Sequence, residues 1–179
     1  MKELSDAALM ELSAKGSEIA FAEIVQRYQD ILLNFFLRSC VSYVDGQDLA
    51  QRTFLRLWRY RRKYTADGAK FTTFLFMLAR QESIDFFRAE ARRRVQEDAL
   101  VQAAAELVPA AGAAAPQSGE KVRRAMGRLT PTLREAVELV VFQDMPYAEA
   151  GVVLGVPLGT VKSRVFNAMK RLKELLGHE

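Results

Sequence analysis

One helical period that breaks and then resumes constrains this chain more than any other feature. Residues 147–172 read YAEAGVVLGVPLGTVKSRVFNAMKRL, in which Tyr147, Ala150, Gly151 and Leu154 share a helical face. Gly155-Val156-Pro157 then interrupts the helix. Glycine tolerates positive φ, and proline disfavours helical geometry in the residue before it. A second helix restarts around residues 158–160, with Val161, Val165, Ala168 and Leu172 as its buried stripe. Ala150 and Gly151 are small enough to let the two helices cross closely. The opposite face of the second helix carries Lys162, Ser163, Phe166, Asn167 and Lys170, with Arg164 and Arg171 on its flank. A cationic, hydrogen-bonding face on the second helix of such a pair suits the major groove of DNA. An ordinary helical hairpin with a solvated basic face is the alternative.

Charge is unevenly distributed over the 179 residues. Residues 1–47 carry 4 Lys/Arg and 7 Asp/Glu, and residues 48–95 carry 12 and 5. Residues 96–120 carry none and 4, and residues 121–179 carry 10 and 6. Two basic segments separated by an acidic one predict two polyanion-binding surfaces, which the modest net charge of +4 conceals. A lone cysteine, Cys40, excludes an internal disulfide framework, and its neighbours Phe36, Leu37 and Val41 predict a buried thiol. One Cys and one His, His178, leave no zinc-type ligand cluster. No apolar run approaches the ~20 residues that span a bilayer, and the charged N-terminus is unlike a secretory signal. The expected compartment is the cytoplasm, with no membrane insertion of the chain's own.

The expected fold is all-α, with two helical domains over residues 1–95 and 121–179 joined by a flexible linker over 96–120. Ser5 is placed to cap a helix that stops at Gly16, and Ser17 to cap the next. Asp45-Gly46 reads as a turn, followed by a third helix over about 47–63 that buries Ala50, Phe54, Leu57 and Trp58. Residues 64–70 read as a loop, and a long helix follows over about 71–94. The stretch 96–120 holds Pro109, Gly112, Pro116 and Gly119 amid many alanines; its first dozen residues suit a helix and the rest a linker. Fully extended it reaches roughly 85 Å, comparable to about two turns of B-DNA. Beyond it, residues 121–129 suit a helix, and Thr130-Pro131 starts another running to about 143.

The long helix interleaves Phe71, Phe74, Phe76, Phe86 and Phe87 with Arg80, Arg88, Arg92, Arg93 and Arg94. Arginines attract phosphate and flat rings stack on unpaired bases, a pairing that suits single-stranded nucleic acid. Most of these rings are nonetheless expected in the core, with Phe71, Phe74, Leu75 and Leu78 as its stripe, and the arginine run also suits a solvated helix end. The third helix, DLAQRTFLRLWRYRRK, puts Asp48, Gln51, Arg52, Leu55, Arg59 and Arg62 outside. A solvated face and a protein-docking face fit this pattern about equally.

Four strings, FAEIVQRYQDILL, DLAQRTFLRLWR, FTTFLFMLARQESIDFFR and LGVPLGTVKSRVFNAMKRL, taken in that order, resemble the bacterial extracytoplasmic-function (group IV) sigma factors of the sigma-70 family. The similarity spans a sigma-2-like unit over about 10–95 and a sigma-4-like unit over about 121–176. It implies that Asp48, Leu49, Gln51, Phe54 and Leu55 dock on the clamp helices of the largest core RNA polymerase subunit. The flap region of the second-largest subunit is a further implied partner. Ala50 replaces a larger aliphatic residue, and Arg52 stands where an acid is common. The resemblance implies capture of a melted promoter −10 element by the loop and long helix, through Tyr64, Asp67, Lys70, Arg80, Gln81, Arg88, Arg92 and Arg93. Gln81 stands where Asn is common, which leaves the preferred base open, and Asp85 matches as a helix-supporting residue. For the −35 duplex it implies Lys162, Ser163, Arg164 and Phe166 in the groove, with Thr160, Asn167 and Lys170 near phosphates. Gly151 replaces the usual alanine, a change expected to bear on helix stability more than on DNA contact.

The function so implied is a promoter-specificity subunit, with no active site, metal or cofactor, held in check by an anti-sigma partner. A polymerase-independent helix-turn-helix regulator is the alternative, although no dedicated dimer element is evident to match palindromic half-sites. A protein-interaction adaptor would leave the two basic regions unexplained. An enzyme would need a nucleophile–base pair, metal cluster or phosphate-cradling loop, and none is evident.

Overall fold

A computed structural model describes residues 3–39, 41–65, 68, 70–101 and 120–177, with side chains of 96–101 excluded. Cys40, Asp67, His178 and residues 102–119 of the expected linker lie outside the described residues. Among the described residues there are helices and no strand: α1 Asp6–Ala14, α2 Glu18–Arg38, α3 Tyr43–Tyr60, α4 Phe71–Val101, α5 Glu120–Gly127, α6 Pro131–Val137, α7 Tyr147–Leu154 and α8 Leu158–Gly177. A π-helical turn, Glu138–Phe142, prolongs α6.

The helix ends follow local chemistry. Ser5 Oγ accepts from the Ala8 amide at 3.2 Å and Ser17 Oγ from the Ala20 amide at 3.3 Å, each satisfying a first-turn N–H. Gly16, at φ +98°, turns the chain between them. Asp45-Gly46, expected to form a turn, lies inside α3 instead. Ser42 caps that helix by accepting from the Asp45 amide at 3.1 Å, and its hydroxyl donates to the Asp45 carboxylate. Serine three residues before an acid is a capping-box pattern, and it overrides the Asp-Gly turn signal. Gly46 is then a close-packing position, since a Cβ there would meet Leu33 Cδ1 at 3.3 Å and Leu37 Cδ2 at 3.4 Å. Helix α4 runs past its expected end near 94, because residues 95–101 contain no helix breaker.

In the first unit α1 packs on α2, α2 on α3 and α3 on α4. Leu9, Met10, Ile24, Leu32, Phe36, Leu49, Leu57 and Leu75 are wholly buried there, each stabilising the fold by roughly 1.5–3 kcal/mol relative to exposure. In α4 the buried stripe is Phe71, Leu75, Phe76 and Ala79, while Phe74 and Leu78, expected within it, are half-buried at its edge. Trp58 is likewise half-buried, its ring edge-on to Phe21 at 4.9 Å with the Arg61 guanidinium 3.8 Å over it. In the second unit α5, α6 and α7 pack on α8, and Ala125, Met126, Leu129, Val137, Ala168 and Leu172 form the cluster joining α5 and α6 to α8.

The two units also share an apolar cluster, distinct from that one. Phe71, Leu75, Phe76 and Ala79 of α4 share a buried cluster with Leu139, Met145, Ala150, Val153 and Leu154. Polar clasps surround this seam. Arg38 grips the buried Glu138 with two hydrogen bonds of 2.7 Å, and the Phe142 ring lies 4.5 Å beneath its guanidinium. Arg80 Nε donates to Glu135 Oε2 at 3.2 Å. Glu149 accepts from Thr73 Oγ1 at 3.0 Å and pairs with Lys70 Nζ at 2.7 Å.

Candidate nucleic-acid interface

Helix α8 carries an open cationic face. Gly155 closes α7 in the left-handed region at φ +67°, and the Thr160 and Val161 amides restart helical bonding onto the Pro157 carbonyl. Val161, Val165, Ala168 and Leu172 turn into the core. That register leaves Lys162, Ser163, Phe166, Asn167 and Lys170 exposed, with Thr160 and Arg164 half-exposed on the flanks. Phe166 is 71% exposed, a large ring left in solvent among polar neighbours. Ser163 Oγ donates to the Thr160 carbonyl at 3.0 Å, and Arg171 pairs with Glu174. Among the described residues Lys162, Arg164 and Lys170 have no carboxylate partner. Gly151 is required by geometry as well as tolerated, because a Cβ there would meet the Val156 carbonyl oxygen at 2.9 Å.

The second basic surface runs along α4 and is shared with the other unit. Lys70 and Arg80 face Glu149 and Glu135, acids of the second unit. Gln81 is exposed and donates to Asp85 at 3.0 Å, while Arg93 pairs with Glu90 at 3.0 Å. Arg88 and Arg92 are exposed. The Tyr64 ring packs on Phe71 and Phe74, at 6.1 and 5.6 Å between centroids, and burial chiefly pushes its phenol pKa up. It is thus a half-buried neutral ring at the root of the loop. Of the α4 aromatics, Phe87 alone is more than 40% exposed.

A third surface lies on α3. Asp48, Gln51 and Leu55 are exposed, Leu55 at 58%, whereas Leu49 is wholly buried and Phe54 nearly so. Leu49 therefore stands behind this face, holding α3 in place. Arg52 pairs with Asp48 at 2.8 Å across one helical turn. Phe21, Val25, Gln51, Phe54, Leu55 and Trp58 line a groove of about 330 Å³ beside it. Phe21 and Val25 form the α2 wall of this groove, and apolar spacing alone does not tell such a wall from core. No group of His, Cys, Asp or Glu among the described residues could hold a metal ion, and no helix there is long and apolar enough to cross a membrane.

Both basic surfaces and the α3 face fall within segments matched by family models. The description Sigma-70 region 2 matches residues 24–93, and Sigma-70, region 4 matches residues 119–172. The chain belongs to the sigma-70 family. It is 29% identical to the ECF RNA polymerase sigma factor RpoE of Cereibacter sphaeroides, over 88% of this chain and 86% of that one. The ECF RNA polymerase sigma-E factor of Escherichia coli is also 29% identical, over 96% and 94%. The RNA polymerase sigma-H factor of Pseudomonas aeruginosa is 28% identical, over 96% and 93%. The fold superposes on the sigma factor RpoE solved with the anti-sigma factor NepR from Bartonella quintana. That match has a TM-score of 0.69 at 26% identity, covering 88% of this chain and 96% of that one. CnrH, solved with the cytosolic domain of CnrY, has the same fold at a TM-score of 0.74 and 23% identity, covering 97% and 98%. This sigma-70 chain is thus extracytoplasmic-function-like across both units.

Proposed function

We propose that this sigma factor binds core RNA polymerase and directs promoter-specific initiation, with α8 reading a −35 duplex and the loop and α4 capturing a melted −10 element. The observation that carries the reading is the open cationic face of α8, set by the burial of Val161, Val165, Ala168 and Leu172. Lys162, Ser163, Arg164 and Phe166 would enter the major groove, with Thr160, Asn167 and Lys170 on phosphates. Tyr64, Lys70, Arg80, Gln81, Arg88, Arg92 and Arg93, with Asp67 outside the described residues, would meet the separated strand. Bases held on that surface offset the few kcal/mol that unstacking costs.

Asp48, Gln51 and Leu55, with the groove beneath them, would dock on the clamp helices of the polymerase, while Leu49 and Phe54 hold the face in shape. The flap region of the second-largest subunit is the partner proposed for the second unit. The chain supplies no chemistry of its own in this reading and acts in the cytoplasm, where its polymerase is. An anti-sigma partner is proposed because RpoE of Bartonella quintana was solved with one. Lys70 and Arg80 are held by acids of the second unit, so the units must part before the −10 surface is complete. Runoff transcription with purified core polymerase tests the proposal. A promoter-dependent start site is expected, and none should appear when either protein is omitted. Absence of any new start site with active core enzyme would overturn it.

A further inference from the structure

Between the two units lies a cavity of about 390 Å³ whose apolar interior the proposed function does not use, although Arg80 and Arg88 at its rim belong to the proposed −10 surface. Its apolar walls are Phe35, Ile84 and Phe87 from one unit and Leu139 and Leu154 from the other. Its size falls within the range of roughly 300–1,000 Å³ typical of small-molecule sites. One wall carries an anomaly. Ser83, 7% exposed and lining the cavity, has an Oγ with no hydrogen-bond partner. Elsewhere in this protein helical Ser13 and Thr53 donate back to the carbonyl four residues earlier, at 2.7 and 2.8 Å. A buried hydroxyl left unmatched is costly; its oxygen has almost no surface open to the cavity, so a ligand atom would relieve it as the Ser83 side chain turns toward it.

The charges around the cavity select the ligand's sign. Glu135 and Glu138 line it, but Arg80 holds the first and Arg38 the second. Arg134 also lines it, its guanidinium spent on the Met126, Ser39, Gly127 and Leu129 carbonyls. Arg88 lines it, is exposed, and has no partner among the described residues. The Arg80–Glu135 bridge joins the two walls, so an α-helix of about 10–12 Å diameter could enter only by breaking it.

We propose that this cavity binds a small amphipathic monoanion, with its tail or ring among the apolar walls and its carboxylate or sulfonate toward Arg88 and the Ser83 hydroxyl. Such a ligand touches both units and holds them together. It therefore opposes the separation that the sigma-factor reading requires, and only this consequence rests on that reading.

The test uses the full chain and 8-anilinonaphthalene-1-sulfonate, a fluorescent aryl monoanion, with decanoate as competitor. One saturable site displaced by decanoate is expected. S83L, which fills the cavity, should abolish it while far-UV circular dichroism and the melting transition show the chain folded. R88Q should weaken decanoate about tenfold, the order of one charge-assisted contact, and leave uncharged decanol unaffected. The absence of a saturable site, or wild-type decanoate binding by R88Q, overturns the proposal even if S83L fails to fold. Binding to the free chain is read without polymerase, so loss of runoff activity beside intact dye binding sinks the sigma-factor reading alone.

Discussion

Gly151 shows how much one missing methyl group can decide. The sequence comparison suggests a mild change from alanine, with helix propensity favouring alanine by roughly 1 kcal/mol. The Val156 carbonyl oxygen, 2.9 Å from where a Cβ would sit, reverses that balance, because overpacking against backbone costs about 1–3 kcal/mol. G151A should therefore lose about 1 kcal/mol in chemical denaturation, where propensity alone predicts a gain. Phe166 is the converse case, a ring in solvent whose removal should leave folding untouched. F166A is expected to bind −35 duplexes with relaxed sequence preference, scored by selection from randomised DNA. Unchanged preference would remove it from the groove-facing set. The periodic stripe made the position of Phe166 legible in the sequence, whereas the Gly151 contact needs the path of the following turn.

At the scale of elements, apolar period predicts which face is buried better than punctuation predicts where a helix begins. The α8 stripe follows its sequence spacing residue by residue, yet Asp45-Gly46 sits within α3 because Ser42 and Asp45 cap one another. The π turn Glu138–Phe142 leaves no comparable trace, since one widened turn shifts the register without setting up a new period. That turn presents buried Glu138 to Arg38, a pair 100 residues apart in sequence. On α3, Leu55 and Arg52 should separate by energy. L55D places a charge in the apolar groove edge and should reduce core-polymerase affinity at least about tenfold, since desolvating an unpaired charge is expensive. R52A breaks only the exposed pair with Asp48, worth about 0–1 kcal/mol, and should change affinity by less than about fivefold. Fluorescence anisotropy against core enzyme distinguishes the two.

The whole molecule is a pair of units closed on each other, an arrangement that charge counting could not foresee because it ignores which acid meets which base. Burial chiefly holds the Glu138 carboxyl above its usual range, against the opposing pull of Arg38 and Gln143. An acid whose folded pKa is raised contributes stability that is whole below the unfolded value and fades as pH rises through the folded one. The thermal midpoint of wild type should therefore gain on that of E138Q as pH falls from about 7 toward about 4, the ordinary carboxylate range. Removing Glu135 and Glu149 together should loosen the seam, seen as a larger radius in small-angle scattering. These partly solvated pairs are worth on the order of 1 kcal/mol each, so single-stranded −10 affinity should rise a few-fold.

Lys70 and Arg80 already keep company with carboxylates, and that alters how this protein responds to electrolyte. A cation neutralised from within exchanges one anion for another when it meets phosphate, and the internal attraction it gives up is screened by the same ions that weaken its grip on DNA. Each free cation steepens the logarithmic decline of single-strand affinity with salt by about 0.7. Promoter capture should accordingly fade with salt more gently than the tally of lysines and arginines along α4 suggests.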